Sequence, residues 1–160
     1  MKATHPQTRI GHVHLKVADL DRAIAFYSGV LGFEVQARYG NDAAFLGAGG
    51  YHHHIGLNTW SSKGATPPPP GHTGLFHTAF LYPNRAELAD AVKRVINADY
   101  AIEGASDHGV SEAVYLTDPD GNGVELYCDR AEADWPRNPD GSLAMYTRRL
   151  DLNALLADAA

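Results

Sequence analysis

Nine histidines are spread unevenly along the 160 residues, and their spacing is the first chemical signal in the chain. His12 and His14 share one segment, His52, His53 and His54 are consecutive, and His72, His77 and His108 follow. Neutral imidazole is a good ligand for borderline first-row metals, although histidine-rich tracts also serve as pH-sensitive surface. One carboxylate belongs with them. Glu125 lies in Gly123-Val-Glu-Leu-Tyr127, between apolar neighbours on what reads as a buried strand. An unpaired carboxylate there is costly or takes up a proton, so it needs a cation, either a metal or an arginine.

The elements that must position these groups are legible from periodicity and capping. Residues 11–17 alternate as a strand that ends near Ala18. Asp19 stands at an N-cap, Leu20, Ala23, Ile24, Tyr27 and Leu31 recur at helical spacing, and Gly32 closes the helix. Strands are expected near 33–39, 43–46 and 53–59. The pattern then repeats 65 residues on, from a strand at 77–82. Asn84 falls on Asp19, Leu88, Val92 and Ile96 fall on Ala23, Tyr27 and Leu31, and Asn97 falls on Gly32. Strands follow near 101–104, 113–117 and 124–128, the last entered through the turn-rich Asp118-Pro-Asp-Gly-Asn-Gly123. Two tandem β-α-β-β-β units, about 10–60 and 75–128, account for this within a domain over 1–130. A proline-rich connector, 61–74, carries Pro67 to Pro70, and a tail, 131–160, ends in a short helix from Asp151 with Leu152, Leu155 and Leu156.

The duplication ties two histidines together. His12 and His77 hold the same position in the two units, and a two-fold relating the units would bring equivalent positions together. With Glu125 they make a set of two imidazoles and one carboxylate, a facial triad with open positions that suits Fe(II) or Mn(II). His14, two residues along from His12, faces the same way as a wall of the site. Bulk composition narrows the remaining classes. Net charge is −6 with no Lys/Arg-rich run, so nucleic acid is not an expected partner. The first residues hold no apolar leader and no stretch is long enough for a membrane span, so a soluble, non-membrane protein is expected. A single cysteine, Cys128, excludes an intrachain disulfide and makes the cytoplasm the default location.

The quoted residues also carry a resemblance. Ile10-Gly-His-Val-His-Leu-Lys-Val17 with Ala25-Phe-Tyr27 and Val30-Leu-Gly-Phe33, then Thr117-Asp-Pro-Asp-Gly-Asn-Gly-Val-Glu-Leu-Tyr127, resembles the vicinal oxygen chelate superfamily over about residues 8–130. That group includes glyoxalase I, extradiol ring-cleavage dioxygenases, and fosfomycin and bleomycin resistance proteins. The resemblance implies an α+β fold, a cup-shaped, eight-stranded mixed sheet with flanking helices, and His12, His77 and Glu125 as metal ligands. Gly56 falls where glyoxalase I-like members carry a further glutamate ligand, which disfavours glyoxalase chemistry. His54 matches the acid/base histidine of extradiol enzymes, and Tyr115 matches the tyrosine that contacts the substrate hydroxyl. The block at 106–116 and the Trp-Pro … Asp-Gly-Ser-Leu tail are similar to catechol 2,3-dioxygenase-like proteins in particular. The implied activity is ring cleavage of a small aromatic diol by O2 with Fe(II), or Mn(II) or another divalent metal. Further substrate contacts fall to His14, Asn58 and His108, the last of which reads equally as a surface histidine. Many extradiol enzymes join two such modules in one longer chain, so a homodimer is the expected replacement here. Two alternatives stay open: another metalloenzyme of the superfamily (glyoxalase-, isomerase- or resistance-transferase-like), and a non-catalytic drug-binding protein.

Overall fold

Period-two alternation makes Val13–Lys16 a strand, β1, with Leu15 buried and His14 and Lys16 exposed. In the computed structural model, residues 3–159 are described. Met1, Lys2 and Ala160 lie outside them, so the N-terminal reading falls partly on residues not described. The chain forms two compact units, Met1–Thr66 and Pro67–Ala160, and the division falls inside the expected connector.

In the first unit, Asp19 caps α1 (Leu20–Ile24) as its spacing predicts, its Oδ1 accepting the Arg22 N–H at 3.0 Å. The helix then widens into a π-helical turn over Ala25–Val30, in which the Leu31 N–H reaches back to the Phe26 carbonyl. Phe26 and Tyr27 are fully buried by this turn, and Gly32, at φ +87°, ends it. Strands β2 (Glu34–Tyr39), β3 (Ala43–Gly47) and β4 (Ile55–Asn58) follow. The sheet order is β1-β4-β3-β2, with β1 parallel to β4 and the other pairs antiparallel.

The second unit repeats this plan. Strand β5 (Thr78–Tyr82) leads to α2 (Arg85–Asn97), whose cap Asn84 accepts the Glu87 N–H at 2.9 Å. Strands β6 (Gly104–Asp107), β7 (Ser111–Thr117) and β8 (Gly123–Asp129) complete it. The fold is thus α+β with two tandem β-α-β-β-β units, and its hydrogen bonds make two mixed sheets, of four and five strands. The fifth strand of the second sheet is β9 (Arg148–Arg149), added from the tail to the β6 edge, giving the order β5-β8-β7-β6-β9. Beyond it, α3 (Leu152–Leu156) buries Leu155 completely, and Arg85 Nη1 donates to the Ala154 carbonyl at 3.3 Å.

The repeat is looser after its helices than the constant offset implies. α2 includes Asn97, and the left-handed position is Asp99, at φ 61°, whose short polar side chain tolerates it. Accordingly β6 starts at Gly104, three residues later than the strand expected from 101. The π-helical turn also changes which face of its own helix is buried, so Leu31 is 4% exposed, whereas at the matching position of the repeat Ile96 is 39% exposed and Val95 is buried in its stead. Among the described residues no helix is long and apolar enough to cross a membrane.

Candidate functional site

Strand register explains how the second unit collects its polar groups. On β8, Glu125 lies between Ala79 of β5 on one side and Tyr115 of β7 on the other, so all three share a face. His77 immediately precedes β5, two residues before Ala79, and so joins that face. Its Nε2 lies 2.8 Å from Glu125 Oε2. Among the described residues no lysine or arginine pairs with this carboxylate, whose side chain is only 12% exposed. The Tyr115 hydroxyl is 3.3 Å from Glu125 Oε1 and 2.7 Å from His108 Nε2. His108 Nδ1 in turn lies 3.1 Å from the Tyr146 carbonyl and 3.2 Å from Thr147 Oγ1. A continuous polar row, His77–Glu125–Tyr115–His108, therefore crosses the sheet. Burial first, and then the neighbouring charge of Glu125, pushes the Tyr115 phenol up to about 12, so it stays protonated at neutral pH. The row opens into a cavity of about 540 Å³ lined by Phe76, His77, Ser106, His108, Tyr115 and Thr147 among others. His108 is thus a cavity residue.

The first unit presents the same register with different chemistry. Gly56 of β4 lies between His14 of β1 and Phe45 of β3, as Glu125 lies between Ala79 and Tyr115. Bulk has been exchanged across the pair. A Cβ on Gly56 would sit 2.8 Å from His14 Cγ and 2.9 Å from its Cδ2, so the imidazole occupies the space that a glutamate would need. The His14 ring packs against Phe45 and Trp60, at centroid distances of 5.8 and 5.7 Å. Asn58 is 7% exposed, and its Oδ1 accepts the Trp60 N–H at 3.2 Å, a local contact that closes the end of β4.

The histidine triplet precedes β4, and period two does not govern it. His54 turns towards Tyr51, with ring centroids 4.6 Å apart, and its Nδ1 accepts the Ala48 N–H at 3.3 Å. His53, which alternation leaves without a role, packs on His12 at 4.5 Å and on Phe45 at 5.2 Å. Its Nδ1 also lies 2.7 Å from that of His52, so one of the two nitrogens carries the shared proton. Burial first, and then the surrounding histidines led by His12, lowers the His53 pKa and favours its neutral form. The sequence signal for His53 is its position just before the strand, where backbone geometry is free to turn the ring. His12 belongs to the first unit and His77 and Glu125 to the second, and within neither unit do three His, Cys, Asp or Glu side chains of the described residues gather as a metal cluster.

Comparison with known proteins places this arrangement in a family. Residues 9–126 match the model of the glyoxalase/bleomycin resistance protein/dioxygenase superfamily. A catechol-2,3-dioxygenase of Bacillus subtilis (strain 168) is 40% identical over 159 residues, 99% of this chain and 55% of that protein. Biphenyl-2,3-diol 1,2-dioxygenase 3 of Rhodococcus globerulus is 34% identical over 122 residues, 76% of this chain and 63% of that protein. The chain thus spans little more than half the length of these curated relatives. A crystal structure of a glyoxalase/dioxygenase from Nostoc punctiforme superposes with a TM-score of 0.65 at 21% identity, covering 82% of this chain and 99% of that one, which speaks to the fold alone. With its duplicated register and a family match over most of its length, the chain belongs to the glyoxalase/bleomycin resistance protein/dioxygenase superfamily.

Proposed function

We propose that this chain is a metal-dependent extradiol-type dioxygenase that cleaves the ring of a catechol-type aromatic with O2. The observation that carries the reading is the polar row His77–Glu125–Tyr115–His108, of which His77, Tyr115 and His108 line the 540 Å³ cavity. The 40% identity with a catechol-2,3-dioxygenase supports it.

The donor chemistry fits a divalent metal. Ligand bonds of about 2.0–2.2 Å put neighbouring donors about 3 Å apart, and His77 Nε2 and Glu125 Oε2 are 2.8 Å apart. Among the described residues no lysine or arginine neutralises Glu125, so a cation supplies what its partly buried carboxylate lacks. His12 completes the proposed ligand set through its repeat equivalence with His77. Fe(II), with Mn(II) or another divalent metal as the alternative, would supply Lewis acidity and a common binding point for both reactants. The protein's own groups do the rest. Tyr115, held protonated, hydrogen-bonds the substrate hydroxyl, and Phe76 on the cavity wall offers an apolar face to an aromatic ring. With its Nδ1 accepting the Ala48 N–H, His54 has Nε2 as the nitrogen that would exchange a proton with the diol. His14 over Gly56 supports a three-ligand site over a four-ligand, glyoxalase-like one. We further assign the cytoplasm as location and a homodimer as assembly.

The test is metal content, followed by anaerobic Fe(II) reconstitution, then O2 uptake and yellow ring-fission product with a panel of catechols. Protein that takes up no metal refutes the enzyme reading. Metal without O2 uptake across the panel refutes the dioxygenase alone.

A further inference from the structure

The tail from residue 131 lies outside both β-α-β-β-β units, yet it reaches the polar row at one point. Tyr146 and Thr147 close over the turn at His108–Gly109. The Tyr146 N–H donates to the His108 carbonyl at 3.3 Å, while the Tyr146 carbonyl lies 3.1 Å from His108 Nδ1. Gly109 sits at φ +80°, where a Cβ would meet Tyr146 Cε1 at 2.7 Å and Pro136 Cγ at 2.8 Å. The Tyr146 ring can therefore settle only on a glycine, and the Arg148 guanidinium covers that ring at 4.1 Å. The two irregular segments are clasped by one backbone hydrogen bond, one side-chain contact to a carbonyl, ring packing and a cation.

A carbonyl oxygen only accepts, so the nitrogen facing it must carry a proton. We infer that the Tyr146 segment is a positioning clasp: it holds His108 as the Nδ1–H tautomer and leaves Nε2 bare to accept the Tyr115 hydroxyl. Of the two acceptors within reach of that hydroxyl, Nε2 is the nearer, at 2.7 Å against 3.3 Å for Glu125 Oε1. A phenol has one proton to give. Directed at His108, that proton leaves the oxygen's lone pairs facing the cavity, ready to accept from a substrate hydroxyl. Thr147 Oγ1, 3.2 Å from the same Nδ1, is then the second acceptor on that side. The consequence for catalysis rests on the function proposed above, but the tautomer does not.

The tautomer is read directly by long-range 1H–15N correlation of 15N-labelled full-length protein, free of metal and substrate, at a pH above the ordinary histidine range. His108→Gln assigns the resonances by their loss. Expected is a protonated Nδ1 and a bare Nε2 in the unaltered protein, kept in Tyr115→Phe, which removes the hydroxyl and leaves the ring. Gly109→Ala and Tyr146→Ala each lift the segment and should lose that pattern in favour of protonated Nε2. A protonated Nε2 in the unaltered protein overturns the inference, and so does a tautomer that switches in Tyr115→Phe. Persistence of the Nδ1–H form in both segment variants also overturns it. Should either segment variant fail to fold, the other three measurements still decide. An inactive protein with the expected tautomer refutes the dioxygenase and spares the clasp.

Discussion

Gly56→Ala should destabilise the protein, and the same substitution should stabilise it once His14 has been cut to alanine. Gly56 is buried in β4, where its φ is not in the left-handed region, so alanine fits the backbone. By backbone entropy alone the change is worth about 0.4–1 kcal/mol in favour of alanine. Against this, the new Cβ would stand 2.8 Å from His14 Cγ. That atom is next to the His14 Cβ and moves only with the whole ring, which Phe45 and Trp60 flank. Overpacking of this kind costs about 1–3 kcal/mol, so the net loss is about 1 kcal/mol and about 2–4 °C in Tm. In His14→Ala the clash is gone and only the gain of about 0.4–1 kcal/mol remains. Urea unfolding followed by Trp60 fluorescence, with Trp135 replaced by phenylalanine, reports the first unit, because Trp60 is 5.7 Å from His14. Effects of Gly56→Ala that agree within about 0.5 kcal/mol in the two backgrounds would mean no coupling and would refute the exchange of bulk between these positions.

Other perturbations probe the second unit and the proposed site. Glu112 accepts from Arg85 Nε at 2.6 Å and Arg130 Nη2 at 2.9 Å with a side chain 12% exposed, so Glu112→Ala should cost about 2 kcal/mol and lower Tm by about 4–8 °C; a change under 1 °C in calorimetry would rule out a structural role. Burial tends to raise the Asp107 carboxyl, but the Gly109 N–H and Arg130 outweigh it and hold the pKa below the usual aspartate value. The sign follows: this stabilisation is complete above the unfolded pKa of about 3.9 and is lost as pH falls through the lower folded value. Tm of the unaltered protein should therefore drop more steeply in acid than that of Asp107→Asn, and parallel pH profiles would contradict this. Glu125→Gln and His12→Ala should each lose stoichiometric metal in elemental analysis, whereas His54→Ala should keep the metal and lose turnover; iron retained in His12→Ala would break the proposed ligand set. His53→Ala should leave turnover within a few-fold, and a loss equal to that of His54→Ala would transfer the acid/base role to the ring beside His12.

Much of the fold is written in short-range sequence patterns. Asp19 and Asn84 cap their helices through their own side chains, because capping is a short-range interaction between a side-chain oxygen and an N–H three residues on. The strand alternation and the 65-residue offset were equally local, and they placed His12 and His77 at one position of a repeated unit. Where the offset slipped, the cause was a backbone choice with no strong signature, the π-helical turn at 25–30 and the left-handed Asp99.

What only tertiary structure decided concerns neighbours distant in sequence. Glu125 demanded a cation by its apolar surroundings alone, but that no arginine among the described residues reaches it, and that His77 and Tyr115 do, depends on the β5-β8-β7 register. Gly56 was legible as a missing carboxylate, whereas the reason for a glycine, the His14 ring lying on it, is a cross-strand contact. His53 beside His12 escaped period two because the triplet precedes the strand that enforces it. The tail's hold on His108 had no pattern to betray it, since a backbone carbonyl is the same at every residue and acquires a role only from where the chain folds to put it.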